Sequence, residues 1–144
     1  MSQAQIEGLL MQPLQLYKDF IDGLVGISDS IAAGRVRQGL WQRIDTSHKR
    51  PRYPLIAALA DENDARNLAR NRLLEGFSGS VREEVATLLQ EERTGGIHDF
   101  LAYLQEHGYS LYRGEAPLAT EPFGTEPYFD YVARLKGDPW PDSA

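Results

Sequence analysis

Apolar residues recur every three or four positions between residues 13 and 33. This recurrence predicts an amphipathic helix that begins near Pro13 and lays one face on a core, with Gly34 at its end. The members of the apolar stripe are Tyr17, Phe20, Ile21, Leu24, Val25, Ile27 and Ile31. A stripe of this length also suits a homodimer interface. Residues 3–11 favour a short separate helix before it.

Four more helices are predicted between residues 54 and 108. Their expected ranges are 54–61, 63–76, 80–94 and 95–108. Asn63 or Asp64 can cap the second of them, because a short polar side chain accepts a hydrogen bond from a free amide of the first turn. Ser80 and Glu83 form an S-x-x-E capping box at the start of the third. Gly95 and Gly96 are expected to separate the third helix from the fourth.

The segment from Tyr109 to Trp140 is rich in aromatic residues. Tyr109–Arg113 alternates like a short edge strand. Thr125–Lys136 predicts a final helix capped by Thr125, and residues 138–144 are expected to fray. The aromatic rings either complete the core of the chain or line a pocket or partner surface, and both interpretations stay open. The candidate binding residues of this segment are Tyr128 and Tyr131.

Together these elements predict an all-α domain that covers residues 1–144. We expect an irregular bundle of five to seven helices, with at most one short strand pair near Tyr109–Arg113. The 144-residue chain contains no cysteine, which excludes disulfides, thiolate metal sites and cysteine nucleophiles. It has neither the basic and apolar segments of a secretion signal nor an apolar run of membrane-spanning length. We therefore expect a cytoplasmic protein without a membrane partner.

Residues 35–53 follow no helical period and predict a long surface loop, interrupted by Gly39 and Pro51. The loop is basic, although the chain has a net charge of −6 and residues 75–106 are mostly acidic. The candidate binding residues of the loop are Arg35, Arg37, Trp41, Arg43, Arg50 and Arg52. Such residues suit nucleic-acid phosphates and bases. Because the rest of the chain repels a polyanion, pairing of the loop with acidic helices, in the same chain or in a dimer partner, is favoured.

His98, Asp99 and Glu92 form the most concentrated polar cluster and are the candidate catalytic residues. A histidine beside carboxylates suits general acid–base catalysis. The simpler interpretation is structural, with Asp99 favouring the helix dipole and His98 bonding a backbone carbonyl. Metal-site spacings such as H-E-x-x-H are absent, so neither a metal nor a cofactor is expected. Whether His48, His98 and His107 converge in space is left open.

The stretch EEVATLLQEERTGGIHDFLAYLQEHG, residues 83–108, resembles a family of small uncharacterised bacterial helical proteins. In that family a helix ends in a glycine turn that is followed by G-I-H-D and a leucine-rich helix. The matching residues are Gly96, Ile97, His98, Asp99, Leu101 and Leu104. The resemblance implies a bacterial source and a helical fold. It brings no known activity.

The leading functional hypothesis is a non-enzymatic cytoplasmic interaction or accessory protein, of the immunity type, that binds another protein through its acidic face. It rests on the charge asymmetry and on the aromatic segment after residue 108. The first alternative is a small enzyme or ligand-binding protein centred on His98 and Asp99. The second is a nucleic-acid-binding protein that uses the Arg35–Arg52 stretch.

Overall fold

The computed structural model describes residues 2–41 and 53–141. In these residues the chain forms five helices and one antiparallel pair of two-residue strands, so the prediction of a mainly α-helical fold with one short strand pair is confirmed. The elements are α1 (Gln3–Gly26), α2 (Ile31–Gln38), α3 (Pro54–Glu75), α4 (Gly79–Glu106), β1 (Tyr112–Arg113), β2 (Ala116–Pro117) and α5 (Pro127–Leu135). No helix in this part of the chain combines the length and the apolar character that crossing a membrane requires.

Helix α1 is one continuous helix, so the predicted separation of residues 3–11 from a helix beginning at Pro13 is wrong. A capping box starts the helix: Ser2 Oγ accepts from the Gln5 amide and Gln5 Oε1 accepts from the Ser2 amide. Pro13 lies inside the helix, where a proline normally costs a backbone hydrogen bond. The Pro13 carbonyl oxygen also accepts a hydrogen bond from the Ala119 amide at 3.0 Å, which ties α1 to the segment before α5.

The helix predicted to run to Ala33 ends earlier, at Gly26, and a second helix begins at Ile31. Ser30 causes the new start, because its hydroxyl accepts from the Ala33 amide at 3.1 Å. Gly34 therefore lies within α2 instead of ending α1. Arg35 also lies on this helix, outside any loop, and Gly39 ends it in the left-handed conformation.

Helices α3 and α4 each replace two predicted helices. The expected breaks near Asp61 and at Gly95–Gly96 do not occur, because neither polar residues nor glycines remove a helical hydrogen bond. A glycine in a helix costs about 1 kcal/mol relative to alanine, and a helix as long as α4 tolerates that. The start of α4 also differs from the prediction, since Ser78, not Ser80, accepts from the Val81 amide at 3.3 Å.

The chain separates into two compact units. Unit 1 comprises residues 1–29 and 93–144, and unit 2 comprises residues 30–92. The interpretation of residues 1–144 as a single domain stays a prediction.

In unit 1, α1 packs against α5. The buried core residues of this unit are Tyr17, Ile21, Leu101 and Tyr131. Half-buried rings from the aromatic segment, Phe123, Tyr128 and Trp140, pack around them. The predicted apolar stripe of α1 thus serves the core through Tyr17 and Ile21. Homodimerisation through that stripe stays a prediction.

In unit 2, the core is smaller and lies between α2, the end of α3 and the start of α4. Its buried members are Ala33, Val36, Leu74 and Ala86. Trp41, Phe77, Val85 and Leu89 pack against them and remain half-buried. The first half of α3 contributes little to this core, because Leu55 is 72% exposed and Ile56 and Leu59 are also exposed.

The end of the chain departs from prediction in two respects. Glu126, not Thr125, precedes the first turn of α5, and the Thr125 hydroxyl bonds a side chain of that helix instead. The segment expected to fray, residues 138–144, contains the half-buried Trp140, whose indole nitrogen donates to Asp22 at 3.0 Å. Residues 142–144 lie outside the described residues.

Gly39 has the most restrictive environment of the glycines in the described residues. Its φ of 72° is in the left-handed region, and a Cβ built on it would lie 2.5 Å from Nη1 of Arg82. The Arg82 guanidinium is held there because Nη2 donates to the Leu74 carbonyl oxygen at 2.8 Å. The turn after α2 therefore requires glycine for two independent reasons.

We predict that Gly39→Ala lowers the free energy of unfolding by about 1–3 kcal/mol, the usual cost of a left-handed non-glycine residue. Displacement of the Arg82 guanidinium adds to this cost. Urea denaturation is the measurement. Gly108→Ala is the matched control, because Gly108 has a φ of 68° and open space around its Cα. An equal loss in both variants would show that the Arg82 contact contributes nothing.

Candidate functional site

A buried carboxylate joins α1 and α5 in unit 1. Asp130 of α5 is 8% exposed, and its two oxygens accept hydrogen bonds of 2.5 Å from the hydroxyls of Tyr17 and Thr125. Burial, together with the hydrogen bond and negative charge of Asp130, raises the pKa of Tyr17 far above its usual range. Tyr17 therefore stays protonated and keeps donating to the carboxylate.

A second buried hydroxyl pair lies one residue further along α5. The Tyr131 hydroxyl lies 2.6 Å from Ser28 Oγ, and Ser28 Oγ donates to the Leu24 carbonyl oxygen at 2.7 Å. Since the single Ser28 hydroxyl proton goes to Leu24, Tyr131 is the donor to Ser28. This pair fixes the end of α1 against α5.

A third contact between α1 and the end of the chain is charged. Arg134 Nε donates to Asp22 Oδ1 at 2.8 Å, and the Trp140 indole nitrogen donates to Asp22 Oδ2 at 3.0 Å. Burial by itself raises the pKa of Asp22. The hydrogen bonds from Arg134 and Trp140 and the charges of Arg134 and Lys18 outweigh it, so the pKa of Asp22 lies below its ordinary value.

These contacts shape a cavity of about 520 Å³ along α5. Three aromatic rings and two prolines contribute to its wall, and three carboxylates and one guanidinium add charge. The lining residues are Phe123, Thr125, Glu126, Phe129, Asp130, Ala133, Arg134, Asp138, Pro139, Trp140 and Pro141. The volume falls within the roughly 300–1,000 Å³ of typical ligand sites.

The rings of the cavity attract cations of the protein itself. The Phe123 and Trp140 rings stack with their centroids 5.3 Å apart. Lys18 Nζ lies 5.7 Å and 5.9 Å from these two centroids, and the Arg134 guanidinium lies 5.0 Å from the Trp140 ring. Such distances are those of cation–π interactions. Two positive charges of the chain therefore already lie on these two rings, whereas Phe129 is exposed at the cavity.

The sequence-predicted catalytic residues are not brought together in this cavity. His98 Nδ1 lies 3.1 Å from Asp99 Oδ1, and the Asp99 side chain is 83% exposed. The His98 ring packs edge-on against Tyr128, 5.0 Å between centroids. Glu92 is exposed and belongs to unit 2. Among the residues that the structure describes, no three histidines or carboxylates are grouped as a metal site would need.

The other two histidines give no support for a cluster. His107 is exposed at the end of α4, where its Nδ1 lies 2.9 Å from the Tyr103 carbonyl oxygen and its ring packs on Tyr103. His48 lies outside the described residues, so the convergence of all three histidines stays a prediction.

The predicted basic binding residues fall into two groups. Arg43, Arg50 and Arg52 lie outside the described residues. Arg37, on α2, pairs with Glu83 of α4 at 3.1 Å, which agrees with the expected pairing of basic and acidic segments within the chain. The Arg35 guanidinium lies 5.4 Å from the Trp41 ring.

The two predicted tyrosines take different places in unit 1. Tyr131 is fully buried in the core, so it is not available to a ligand. Tyr128 is half-buried between His98 and Phe129. Neither lines the cavity along α5.

Four residues that build the cavity were missed by sequence reasoning: Asp22, Asp130, Arg134 and Trp140. Their contacts join positions more than 110 residues apart, and such pairings leave no local pattern. One signal was available, since Asp130 lies directly between the aromatic residues Phe129 and Tyr131. A carboxylate among aromatic residues is buried only when donors accompany it.

Residues 11–142 match the model of a family of unknown function, DUF6547. No curated protein and no solved structure gives a significant match to the chain. The site therefore has to be interpreted from its own geometry.

We predict that Tyr17→Phe lowers the free energy of unfolding by about 1–3 kcal/mol, because it leaves a buried oxygen of Asp130 without its donor. Chemical denaturation at neutral pH is the measurement. Tyr103→Phe is the matched control, since Tyr103 is 48% exposed. Equal stability of the two variants would contradict the role given to the Tyr17–Asp130 bond.

We predict that Asp22→Asn destabilises the protein at neutral pH and that the difference from the wild type shrinks in acid. Because the folded pKa of Asp22 is lowered, its carboxylate stabilises the fold above the ordinary value of about 4. That stability is lost as the pH falls through the folded pKa. Urea denaturation across this pH range is the measurement. Asp29→Asn, at an exposed position of unit 1, is the matched control. A difference that stays constant with pH would contradict the assignment.

Proposed function

The chain belongs to DUF6547, a family of unknown function, and we propose that it is a non-enzymatic protein that binds a basic segment of another protein. The observation that carries this proposal is the cavity along α5, where aromatic rings and carboxylates lie together. The proposed setting is the bacterial cytoplasm, and the proposed role is an accessory or immunity-type one.

The polar groups of the cavity support binding more than catalysis. Asp130 accepts from two hydroxyls, and Arg134 is engaged by Asp22. Side chains that are already hydrogen-bonded to other side chains of the protein hold the cavity in shape. A general base, by contrast, has to exchange a proton with its substrate. The carboxylates of Glu126 and Asp138 remain at the wall to meet a ligand.

The charges of the cavity wall and of the whole chain favour a positively charged ligand. Three carboxylates and one guanidinium line the cavity. The net charge of the chain is −6, which favours the approach of a basic partner over that of an acidic one. An arginine side chain can stack on an aromatic ring and bond a carboxylate at the same time.

The exposed rings favour a protein partner. Phe129 is 55% exposed although it lines the cavity, and Leu135 of the same helix is 36% exposed. Aromatic residues near the centre of a protein interface commonly carry much of its binding energy. A peptide would cover Phe129 with its own apolar side chains while its basic side chain enters the cavity.

We predict that a short peptide with one arginine between leucines binds this cavity, and that the same peptide with citrulline binds at least about tenfold more weakly, a difference of about 1.4 kcal/mol. Citrulline keeps the shape of arginine and removes its charge. The measurement is calorimetric titration of the full chain. Phe129→Ala should weaken binding about tenfold or more, by the loss of a central aromatic contact.

Phe100→Ala is the control, because Phe100 is 57% exposed, belongs to unit 1 and does not line the cavity. Equal binding of the arginine and citrulline peptides would contradict the charge argument. Binding of N-acetyl-arginine amide as tight as that of the peptide would contradict a protein partner. An effect of Phe100→Ala equal to that of Phe129→Ala would contradict the site.

An enzyme centred on His98 and Asp99 is the alternative. The edge-on contact of the His98 ring with Tyr128 supports this alternative, because the contact holds the ring in one position. General acid–base catalysis by His98 would be lost in His98→Asn, so comparison of the wild type and His98→Asn for turnover of a panel of small substrates is the direct test.

A further inference from the structure

Unit 2 contains a separate apolar groove of about 310 Å³. Its floor is the core of that unit, formed by Val36 and Leu74, and its walls are Phe77, Val85 and Leu89. Leu73 lies at its edge and is 66% exposed. No acidic residue lines the groove within the part of the chain that the structure describes.

Trp41 closes one side of the groove and is held firmly. Asn71 bonds both backbone groups of this residue: its Oδ1 accepts from the Trp41 amide, and its Nδ2 donates to the Trp41 carbonyl oxygen at 2.8 Å. This two-sided bond fixes the backbone at Trp41. The indole ring itself packs against the core of unit 2 and forms a wall of the groove.

Two guanidinium groups flank the Trp41 ring. Arg35 lies 5.4 Å and Arg70 lies 4.9 Å from the ring, and Arg70 itself lines the groove. Arg70 Nη1 donates to Asn67 Oδ1 at 3.0 Å, which positions the charge with a neutral acceptor. Within the described residues neither arginine has a carboxylate partner.

We infer that this groove binds a small amphipathic carboxylate, such as a medium-chain fatty acid, with its chain along the apolar floor and its carboxylate at Arg70. The floor rejects a wholly polar ligand, because desolvated polar groups would find no partner there. The Arg70 guanidinium selects an anion and suits the planar, two-oxygen geometry of a carboxylate, and the charge of Arg35 on the Trp41 ring adds to the positive potential.

This site is independent of the proposed function. It lies in unit 2, takes a ligand of opposite charge and shares no residue with the cavity along α5. Failure of one proposal therefore leaves the other intact.

The experiment is an NMR titration of the ¹⁵N-labelled full chain with sodium octanoate. The chain has two tryptophans, Trp41 and Trp140, so two indole signals report on the two units separately. Octanoate is expected to shift the Trp41 signal and to leave the Trp140 signal in place. Acetate, which lacks the chain, and 1-octanol, which lacks the charge, are each expected to bind at least about tenfold more weakly.

Matched variants test the two parts of the ligand. Arg70→Gln is expected to weaken octanoate binding about tenfold, whereas Arg66→Gln, at an exposed position of α3 outside the groove, leaves it unchanged. Leu73→Asn is expected to weaken binding, whereas Leu55→Asn does not, although both residues are exposed on the same helix. Because all four positions are exposed, the variants are expected to keep the fold.

The inference is overturned if octanoate leaves the Trp41 signal unshifted or moves the Trp140 signal instead. It is also overturned if 1-octanol binds as tightly as octanoate, since the arginines would then have no part in recognition. If Arg70→Gln and Arg66→Gln weaken octanoate binding equally, the effect comes from the overall charge of the protein and not from this groove. That result would also overturn the inference.

Discussion

Unit 1 depends on one carboxylate that is almost completely removed from water. Burying Asp130 is unfavourable by itself, and the cost is offset because Tyr17 and Thr125 each donate a hydroxyl to it. Tyr17 comes from α1, and Thr125 lies two residues before α5. The requirement to satisfy Asp130 therefore sets the angular position of the last helix on the first, and the cavity wall follows from that position. The salt bridge of Arg134 with Asp22 then holds the same two helices about one turn further along.

The sequence predicted the helical class because apolar periodicity is a local property. The α1 stripe around Tyr17 and Ile21 is buried, as an amphipathic helix requires. The predicted ends were less accurate, since each candidate break competes with continuation of the helix. Gly95 and Gly96 are tolerated within α4, whereas Ser30 succeeds as a start because it actually caps an amide. Whether a polar residue or a glycine interrupts a helix depends on the contacts around it, which the sequence does not display.

The candidate sites could be predicted only in part. Trp41 and Arg35 were chosen as candidate binding residues from their residue types, and the structure places them in contact. Arg70, which completes the groove, lies in a helix where the sequence showed no sign of a binding site. The cavity along α5 was missed for the same reason. Its aromatic residues were recognised as a group, yet the pairing of Trp140 with Asp22 joins residues 118 positions apart. Long-range pairings of this kind arise from packing, and neither periodicity nor spacing encodes them.

The division of the chain has a consequence for the order of folding. Unit 2 is a continuous stretch of residues 30–92, whereas unit 1 is assembled from both ends of the sequence. During synthesis, unit 2 can close its core while the ribosome is still making the later residues. Unit 1 has to wait until Asp130 and Trp140 have emerged, and its first helix must meanwhile leave Tyr17 and Ile21 uncovered. The long interval before α1 meets α5 makes unit 1 the late-forming part of the molecule.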